Sequence, residues 1–388
     1  MFTRAKKITA YFLALVVLAY GATRLIVPPL VEKSLNQNLA YTPLVVSDTA
    51  RALHKKLTIM DWHADTLLWD RDFLARSDYG HIDLPRLVQA GSSIQMLTTV
   101  TKTPPNINID RNEDTGDQVT LLTLIQGWPM RTWSSLLERA LYQSQRLEKF
   151  VKRSKGQIQW IRSKGDLAKN LTNPDKPFAV LLGAEGAQPL EGKLENLDRL
   201  YAAGFRMIGL THFTDNALGG SLHGISKDGL TDFGRNVIKR LDELEMIIDL
   251  SHASEQMAWD VLALSKRPVV VSHTGLKSHC DTPRNFSDDL MKAIASKGGL
   301  IGIGMWQDAV CDPSPSGIAG AIKYGIEMLG SEHIALGSDW DGALPMASAD
   351  VLPQITQALL DQGVAEDDIR RVMGENSIRF LANWLAEN

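Results

Sequence analysis

Short apolar runs, most of which end in a polar residue, recur along the chain and constrain its fold more than any other feature. They span Leu57–Trp62, Ser93–Thr99, Phe178–Ala184, Arg206–Thr211, Met246–Ser251, Pro268–Ser272, Leu300–Met305 and Ile334–Ser338. Segments of helical periodicity lie between most of them, for example Phe233–Leu244, Glu255–Leu264 and Ser287–Ser296. Strands that alternate with helices indicate parallel βαβ units. Eight such strands predict an α/β fold of the (β/α)8 barrel type rather than an open sheet, and a further run at Ile158–Ile161 leaves the number of strands uncertain by one.

The length of 388 residues exceeds the roughly 250 of a typical barrel, and an insertion accounts for much of the excess. Residues 101–177 separate the second and third predicted strands and contain a polar loop, Thr103–Gly116, followed by an amphipathic pattern, Val119–Lys152. We predict that this insertion forms a helical cap over the barrel mouth. The pattern Glu366–Leu385 predicts a helix that closes the barrel, so residues 51–388 are expected to form a single domain.

The N-terminal segment, residues 1–27, is predicted to enter a membrane. Residues 8–27 form a predominantly apolar run of 20 residues that follows three basic residues, Arg4, Lys6 and Lys7. At about 1.5 Å per helical residue the run is about 30 Å long, which matches the core of a bilayer. The basic flank predicts that the N-terminus stays in the cytoplasm and that the rest of the chain is exported.

Two interpretations of this segment stay open. The small residues of Ala19-Tyr20-Gly21 could end a cleaved signal peptide, which would leave a secreted or periplasmic protein. The longer apolar run, which stops at Pro28-Pro29, favours an uncleaved anchor in the inner membrane with the catalytic domain facing the periplasm or the outside. Residues 28–50 contain prolines and show no clear period, and we interpret them as a linker.

The charge distribution argues against a nucleic-acid partner. The chain has 41 basic and 45 acidic residues, and four of the basic residues lie in residues 1–27, which contain no acid. Residues 28–388 therefore carry a net charge of −8 and offer no strong positive field to a polyanion.

The two cysteines, Cys280 and Cys311, are compatible with an exported protein. They could form one disulfide that closes a loop of roughly thirty residues, which export favours, or they could be two free thiols.

Metal-binding residue types stand at the ends of the predicted strands. His63 and Asp65 are two residues apart at the end of the first strand, so their side chains point the same way. The carboxyl ends of barrel strands converge on one mouth, where barrel enzymes carry their active sites. Further polar residues end the other strands, namely Glu185, His212, His252, His273 and Asp339. Any one strand-end histidine would be expected to have a structural role, but this many together predict metal binding.

Five other histidines lie in predicted loops or helices, and we interpret them as solvated or locally hydrogen-bonded residues. They are His54, His81, His223, His279 and His333.

The predicted ligand types suit Zn²⁺, with Mn²⁺ or Co²⁺ as substitutes, because imidazole and carboxylate are present without thiolate. Three histidine ligands and two carboxylates exceed the three protein ligands of a usual catalytic site. Two metal ions that share a carboxylate fit this number better, and a hydroxide that bridges them would be the nucleophile.

About residues 50–385 resemble the membrane (renal) dipeptidases, which are zinc hydrolases with an amidohydrolase-type barrel. The matching motifs are His63-x-Asp65, Glu185-Gly186, Leu210-Thr211-His212 with Asp215-Asn216, Ser251-His252, Ser272-His273, Arg284-Asn285 with Asp288-Asp289, Gly337-Ser338-Asp339-Trp340-Asp341-Gly342, and Gly374-Glu375-Asn376. The spacings of 21 residues from His252 to His273 and of 11 from His273 to Arg284 are also similar to those of the family.

The resemblance implies two zinc ions per chain. His63 and Asp65 would hold one ion and His252 and His273 the other, with Glu185 bridging the pair.

The resemblance also implies roles for three further residues. His212 would contact the oxyanion and the substrate, Arg284 would bind the terminal carboxylate of the substrate, and Asp339 would shuttle the proton. The residue types suit these roles, since arginine matches a carboxylate bidentately and a carboxylate can move a proton between water and a leaving amine.

The expected activity is therefore hydrolysis of dipeptides, including those with a C-terminal D-residue such as peptidoglycan-derived dipeptides, and the resemblance implies a homodimer. The alternative enzyme is another binuclear amidohydrolase that acts on cyclic amides or lactones. A catalytically inactive binding barrel ranks below both because every expected ligand and the proton shuttle are present.

Overall fold

The computed structural model of the protein describes residues 2–387; Met1 and Asn388, which end two of the predicted segments, lie outside the described residues. Within residues 2–387, nine parallel strands form one sheet. They are β1 (Ile59–Asp61), β2 (Ser92–Leu97), β3 (Ile158–Trp160), β4 (Phe178–Ala184), β5 (Met207–Gly209), β6 (Ile247–Asp249), β7 (Val270–Thr274), β8 (Leu300–Ile303) and β9 (Ile334–Leu336).

Eight of these described strands close into a barrel, which confirms the predicted (β/α)8 fold. The sheet runs β2-β1-β9-β8-β7-β6-β5-β4, and β2 also pairs with β4 to complete the ring. The short strand β3 lies outside the ring: Ile158 pairs with Phe178 at the start of β4, whereas β5 pairs with Gly183 and Ala184 at its end. The Ile158–Ile161 run thus contains an extra strand, which pairs with the N-terminal half of β4.

Helices surround the barrel, and most begin at a Ser, Thr or Asp side chain that accepts a hydrogen bond from the first turn, as Ser135 and Thr231 do. In chain order, those of the described residues are α1 (Phe2–Leu35), α2 (Asp48–His54), α3 (Leu84–Gln89), α4 (Gln118–Ile125), α5 (Leu136–Arg153), α6 (Lys164–Thr172), α7 (Glu195–Ala202), α8 (Asp232–Glu243), α9 (Glu255–Leu264), α10 (Asp288–Ser296), α11 (Gln307–Val310), α12 (Pro315–Leu329), α13 (Leu352–Asp361), α14 (Glu366–Arg370) and α15 (Asn376–Trp384).

Two apolar layers hold the barrel together. Alternate strand residues such as Met96, Leu181 and Ile247 pack with one another inside the ring, and Phe380 and Leu381 of α15 join them. Because these strand residues lie mainly toward the starts of the strands, α15 closes the end of the barrel opposite the mouth. The other strand face packs against the helices in a larger core.

The predicted C-terminal helix Glu366–Leu385 is interrupted. A wider turn of π-helix, Arg371–Glu375, separates α14 from α15. Gly374 lies in this turn, where an added Cβ would stand 1.8 Å from the carbonyl oxygen of Thr58, so the chain passes against β1 too closely for a regular helix.

The insertion between β2 and β4 is helical, and only part of it lies over the barrel mouth. The amphipathic pattern Val119–Lys152 divides into α4 and α5 at a turn that contains Gly127 and Pro129. Helix α5 lies in the outer helical layer, where Leu147 and Phe150 join the main core. Covering of the mouth falls instead to α4 and to the loop before it.

Residues 28–50, which we interpreted as a linker, are helical at both ends. Helix α1 continues through Pro28 and Pro29 to Leu35, and α2 begins at Asp48. Packing outweighs the lost backbone hydrogen bonds, because Val31 packs against the apolar cluster at the mouth and Glu32 pairs with Arg71. Only the stretch between the two helices is largely without regular structure.

Helix α1 is long and apolar enough to cross a membrane. Its Lys6–Leu35 portion reaches a mean hydropathy of 1.9 over an 18-residue window, and that window is not buried against the protein.

Cys280 and Cys311 form a disulfide that joins the loop after β7 to the end of α11. The bond closes a loop of 31 residues, which by chain-entropy reasoning stabilises the fold by about 3–4 kcal/mol.

Candidate active site

The predicted site residues meet at the barrel mouth, and all of them are buried. They come from the ends of six different strands and comprise His63, Asp65, Glu185, His212, His252, His273 and Asp339. Arg284, from the loop after β7, is buried beside them.

The Glu185 carboxylate lies at the centre of the histidines. Its Oε1 atom is 3.0 Å from His252 Nε2, 3.4 Å from His273 Nε2 and 3.5 Å from His63 Nε2. Its Oε2 atom is 3.5 Å from His212 Nε2. One carboxylate therefore lies within 3.5 Å of four imidazoles, a position from which it could bind two metal ions at once.

Two further carboxylates lie on the His63 side of this cluster. Asp65 Oδ1 is 3.6 Å and Asp339 Oδ1 is 4.0 Å from His63 Nε2. His63, Asp65 and Asp339 thus form a third group whose ligand atoms could share an ion, in addition to the two groups built on Glu185.

A hydrogen-bonded layer beneath the histidines orients two of their rings. His63 Nδ1 is 3.0 Å and His273 Nδ1 is 2.9 Å from Ser272 Oγ, which itself donates to Asp249 Oδ2 at 2.6 Å. Because the Ser272 hydroxyl proton is used on Asp249, both rings must donate from Nδ1 and present an Nε2 lone pair to the site. Thr98 similarly donates to Asp65 at 2.7 Å.

These supporting residues have only a weak sequence signal. Asp249 and Ser272 precede His252 and His273 by three residues and one residue, but their contact depends on β6 and β7 being neighbours.

The donor set fits divalent metal ions. His63 Nε2 is buried and finds no hydrogen-bond partner among the described residues. His252 Nε2 and His273 Nε2 are only 2.8 Å apart. Because Ser272 orients His273 with Nε2 as an acceptor, the lone pair of that nitrogen also faces the site. Nitrogen lone pairs that converge with carboxylate oxygens in a buried pocket, without a thiolate, are ligands for a metal ion such as Zn²⁺.

The electrostatics of the site show an excess of negative charge. Burial, together with repulsion from Glu185 and Asp65, raises the pKa of Asp339 well above its usual range. Burial opposes a charge on His63, but the Glu185 and Asp65 carboxylates outweigh it and raise the pKa of that imidazole well above its usual value, so they attract a positive charge, either a proton or a metal ion, to Nε2. Bound divalent cations would balance these carboxylates and would be the largest local charges in the site.

Arg284 presents a free donor next to the cluster. Its Nη2 donates to the carbonyl oxygen of His273 at 2.7 Å, and its guanidinium lies 5.3 Å from the centre of the Trp306 ring. Its buried Nη1 finds no partner among the described residues. Burial lowers the pKa of Arg284 from its usual value, although nearby Asp339 and Glu185 oppose that shift.

His212 faces Glu185 from the opposite side. Its Nδ1 lies 3.4 Å from the carbonyl oxygen of Lys102, in the segment that follows β2, and its Nε2 points to Glu185 Oε2. The ring stands edge-on to His252, with 4.9 Å between ring centres.

A cavity of about 280 Å³ opens onto these residues. Its walls are mainly apolar and include Leu68, Val100, Ile107, Ile109, Phe213, Trp306 and Leu344. The loop before α4 therefore covers part of the mouth. Apolar walls with a few convergent polar groups are typical of a small-molecule site.

His223 is a residue that sequence reasoning missed. We interpreted it as a solvated or locally bonded loop residue, but it is fully buried and lines the cavity. Its Nδ1 is 2.5 Å from the carbonyl oxygen of Ile109, and its Nε2 finds no partner among the described residues. Burial, with the positive charge of Arg284 close by, lowers its pKa to about 3. The sequence held no signal for this position because the contact depends on the insertion loop.

Comparisons with known proteins agree with this geometry. An uncharacterized protein in the pqqA 5′ region of Klebsiella pneumoniae is 31% identical over 253 residues, which cover 61% of this chain and 93% of the relative. Dipeptidase aclJ of Aspergillus oryzae is 27% identical over 361 residues, which cover 84% of this chain and 78% of the relative.

A solved structure has the same fold. It is a metallo peptidase from Rhodobacter sphaeroides liganded with a phosphinate mimic of the dipeptide L-Ala-D-Ala. It superposes with a TM-score of 0.67 at 20% identity, covering 84% of this chain and 99% of that chain. A sequence model of the membrane dipeptidases, peptidase family M19, matches residues 47–386. Because this match covers most of the chain, the protein belongs to the membrane dipeptidase family and is a metallo-dipeptidase, a hydrolase of peptide bonds.

Proposed function

We propose that the protein hydrolyses dipeptides with the help of two Zn²⁺ ions bound by the residues around Glu185. His63 and Asp65 would hold one ion, His252 and His273 the other, and Glu185 both. The observation that supports this most strongly is the position of Glu185 Oε1, within 3.5 Å of three Nε2 atoms, two of which are oriented as acceptors by Ser272. When bound, the ions polarise the scissile carbonyl and make a water molecule nucleophilic near neutral pH.

Asp339 is the proposed proton shuttle. Its carboxylate lies beside the ligand cluster, lines the cavity and is not engaged as a metal ligand in this proposal. It would accept a proton from the attacking water on one Oδ atom and return it to the leaving amine, the transfer for which a positioned carboxylate is suited.

His212 is the proposed donor to the oxyanion. The ring lines the cavity, and a proton on its Nε2 atom, which lies 3.5 Å from Glu185 Oε2, would be available to the oxyanion. A donor aimed at the developing negative charge lowers the barrier by about 3–4 kcal/mol when it is well placed.

Arg284 is the proposed anchor for the free carboxylate of the substrate. Its unpartnered Nη1 and its fixed Nη2 present a planar fork at the cavity, and Trp306 holds the guanidinium plane. Arg284 Nη2 is bonded to the carbonyl oxygen of the proposed ligand His273, so a carboxylate held by the fork would lie beside the ligand cluster. In this proposal a single residue fits between the cleaved bond and the fork, which would restrict the enzyme to dipeptides.

The substrates are proposed to include dipeptides with a C-terminal D-residue, such as those derived from peptidoglycan. The Rhodobacter sphaeroides structure holds a mimic of L-Ala-D-Ala, and an exported enzyme would meet cell-wall peptides.

Helix α1 is proposed to anchor the enzyme, with its N-terminus in the cytoplasm and the barrel on the periplasmic or outer side. Tyr20 Oη donates to the carbonyl oxygen of Leu124, so α1 makes contacts before the position where a signal peptidase would cut, which supports retention over cleavage. The homodimer stays a prediction.

Metal analysis combined with a substrate panel tests the proposed function. We expect about two zinc ions per chain and hydrolysis of free dipeptides, in both stereochemical forms at the C-terminal position, but not of dipeptide amides or tripeptides. Arg284→Met should raise KM for dipeptides with little change in zinc content. Turnover of cyclic amides or lactones without dipeptide turnover would favour the alternative amidohydrolase. Metal binding with no turnover of any member would favour a binding barrel.

A further inference from the structure

A second apolar surface lies beside α1. It belongs to α4 and the turn that follows, where residues 118–133 contain one charged side chain, Arg131, which pairs with Glu138. Three side chains project from it into solvent: Leu121, Met130 and Trp133 are 63%, 74% and 38% exposed. We call these three residues the apolar patch. Large apolar side chains grouped on a surface mark a contact with a partner or a membrane.

Hydrogen bonds join this surface to α1. Tyr20 Oη donates to the carbonyl oxygen of Leu124 at 3.1 Å, and Arg24 Nη2 donates to that of Gln126 at 2.7 Å. Both carbonyls lie at the C-terminal end of α4, where a helix leaves carbonyl groups without partners in the next turn. The Leu124 carbonyl also accepts from the backbone of Gly127 at 3.1 Å, so Tyr20 adds a second bond to it. Arg24 of α1 supplies the bond to the Gln126 carbonyl.

The positions of Tyr20 and Arg24 along α1 indicate how deep in the membrane these contacts would lie. In the proposed function, residues 8–27 of α1 span the bilayer, and this inference rests on that placement. At about 1.5 Å per residue, Tyr20 and Arg24 lie roughly 10 and 5 Å before the outer end of the span. A segment bonded to both residues must therefore lie at the depth of the outer leaflet, where backbone groups need protein partners.

We propose that the apolar patch enters the lipid bilayer beside α1 and forms a second membrane contact of the enzyme. The bonds to α1 identify the occupant as lipid, because α4 is joined to Tyr20 and Arg24 of the proposed span, and Leu25 and Ile26, next to Arg24, are apolar and exposed. Trp133 and Tyr20 are of the residue types that concentrate at membrane interfaces. Helix α4 would lie in the outer leaflet without crossing the bilayer, whereas α1 crosses the whole bilayer.

This contact orients the barrel with its mouth toward the membrane. The last turn of α1 is fixed to the mouth, since Glu32 Oε1 is 2.7 Å from Arg71 Nε and Arg71 Nη2 is 2.6 Å from Asp341 Oδ2. Glu32 lies five residues past Val27, so about 8 Å of helix separates the bilayer edge from the mouth. Substrates would reach the cavity from the space next to the lipid surface.

Site-specific fluorescence in vesicles tests the proposal. Both native cysteines are paired, so a single introduced cysteine in the full chain can be labelled with an environment-sensitive dye. The test variant is Met130→Cys, and the matched control is Leu171→Cys, which is 42% exposed at the end of α6, near the start of β4 and opposite the mouth. A Val17→Cys variant reports on α1; because position 17 lies near the middle of the proposed span, its quenching is read with lipids that carry the nitroxide near the end of the acyl chain. Each labelled variant is first shown to keep dipeptidase activity in detergent.

The expected result is a blue shift and loss of most of the emission at position 130 when the vesicles contain lipids with a nitroxide near the headgroup, with neither effect at position 171. Equal responses at positions 130 and 171, with position 17 quenched, would overturn the inference while leaving the anchor intact. A blue shift at position 130 without lipid quenching would also overturn it and would indicate a second copy of the chain on the patch. A lack of quenching at position 17 would remove the membrane placement on which the inference rests, whereas metal content and dipeptide turnover would still stand.

Discussion

At the residue scale, two of the site residues hold an unusual backbone conformation. His252 has a φ of 64° and Asp339 a φ of 67°, in the left-handed region that residues other than glycine seldom adopt. Such conformations persist where the surrounding structure enforces them, and they cluster at functional sites. Asp and Asn tolerate this region better than most residues, which makes Asp339→Asn a conservative change for the backbone.

Asp339→Asn is expected to keep about two zinc ions per chain and to lose most turnover. The amide cannot accept and return a proton, and loss of a general base costs about 10²–10⁴-fold in rate. Measurement of kcat and zinc content on the same preparation checks this. A loss of one zinc ion would instead make Asp339 a ligand, as its 4.0 Å distance from His63 allows, and full activity would remove it from the mechanism.

Ser272→Ala is expected to weaken zinc binding by about 10–100-fold, because His63 and His273 lose the acceptor that holds their rings in the ligating form. A metal-buffer titration of zinc content measures this affinity. The control is Ser144→Ala, a buried serine on α5 that donates to the carbonyl oxygen of Ala203. Equal zinc affinity in the two variants would show that the Ser272 hydroxyl does not orient the ligands.

The site residues at strand ends could be predicted because residue type and position in the repeat are local properties. His63 and Asp65 are an example, since a two-residue spacing on a strand is enough to place them together. The orienting role of Ser272 could not be predicted, although Ser272-His273 is one of the family motifs, because Ser272 meets His63 from 209 residues away and only closure of the barrel brings the two into contact.

At the scale of elements, apolar periodicity predicted helices better than it predicted where they break. The pattern Val119–Lys152 has a helical period, yet Gly127 and Pro129 divide it into α4 and α5. Trp128 stabilises the break, since it is buried between Val119 and Tyr142 in the cluster at the mouth. The free energy gained by burying the Trp128 ring comes from tertiary contacts, which a local sequence pattern does not contain.

His54 makes the docking of α2 sensitive to pH. Its Nδ1 lies 2.8 Å from Thr356 Oγ1 of α13, and its Nε2 lies 2.9 Å from the carbonyl oxygen of Ala90 after α3. Burial lowers the pKa of His54, and the bond to Ala90 only partly offsets this effect. The folded state therefore binds a proton on His54 less readily than the unfolded chain, whose histidine takes up a proton near pH 6.5. The free energy of unfolding thus falls as the pH drops below that value.

We expect the wild type to lose more thermal stability than His54→Gln between pH 7.5 and 5.5. Thermal unfolding at a series of pH values measures this loss, and the difference between the two proteins separates His54 from the other histidines. Parallel curves for the two proteins would show that His54 does not contribute to the pH dependence.

At the scale of the whole molecule, a buried ion-pair network ties α1 to the catalytic barrel. Arg71 lies between Glu32 of α1 and Asp341 of the loop after β9, and all three residues are buried. Asp341 also accepts hydrogen bonds from Thr66 at 2.7 Å and from the backbone of His81 at 2.7 Å. The segment that we predicted as a linker is therefore part of the folded domain.

Arg71→Met is expected to destabilise the protein by about 3–5 kcal/mol, because it leaves two buried carboxylates without their cation. Arg76→Met is the control, since Arg76 pairs with Asp350 in a half-exposed bridge, for which about 0–1 kcal/mol is expected. Unfolding of the full chain in detergent compares the two variants. Similar losses would mean that the connection between α1 and the mouth contributes little to stability.

The sequence by itself determined the alternation of strands and helices, the apolar N-terminal helix and the kinds of residues that end the strands, because periodicity and side-chain chemistry are properties of neighbouring residues. Only the tertiary structure decided that β2 pairs with β4 and leaves β3 outside the ring, that His223 enters the cavity, and that α1 is fixed to the mouth through Glu32. Each of these outcomes depends on contacts between distant segments, whose free energy arises when the barrel closes and buries them together.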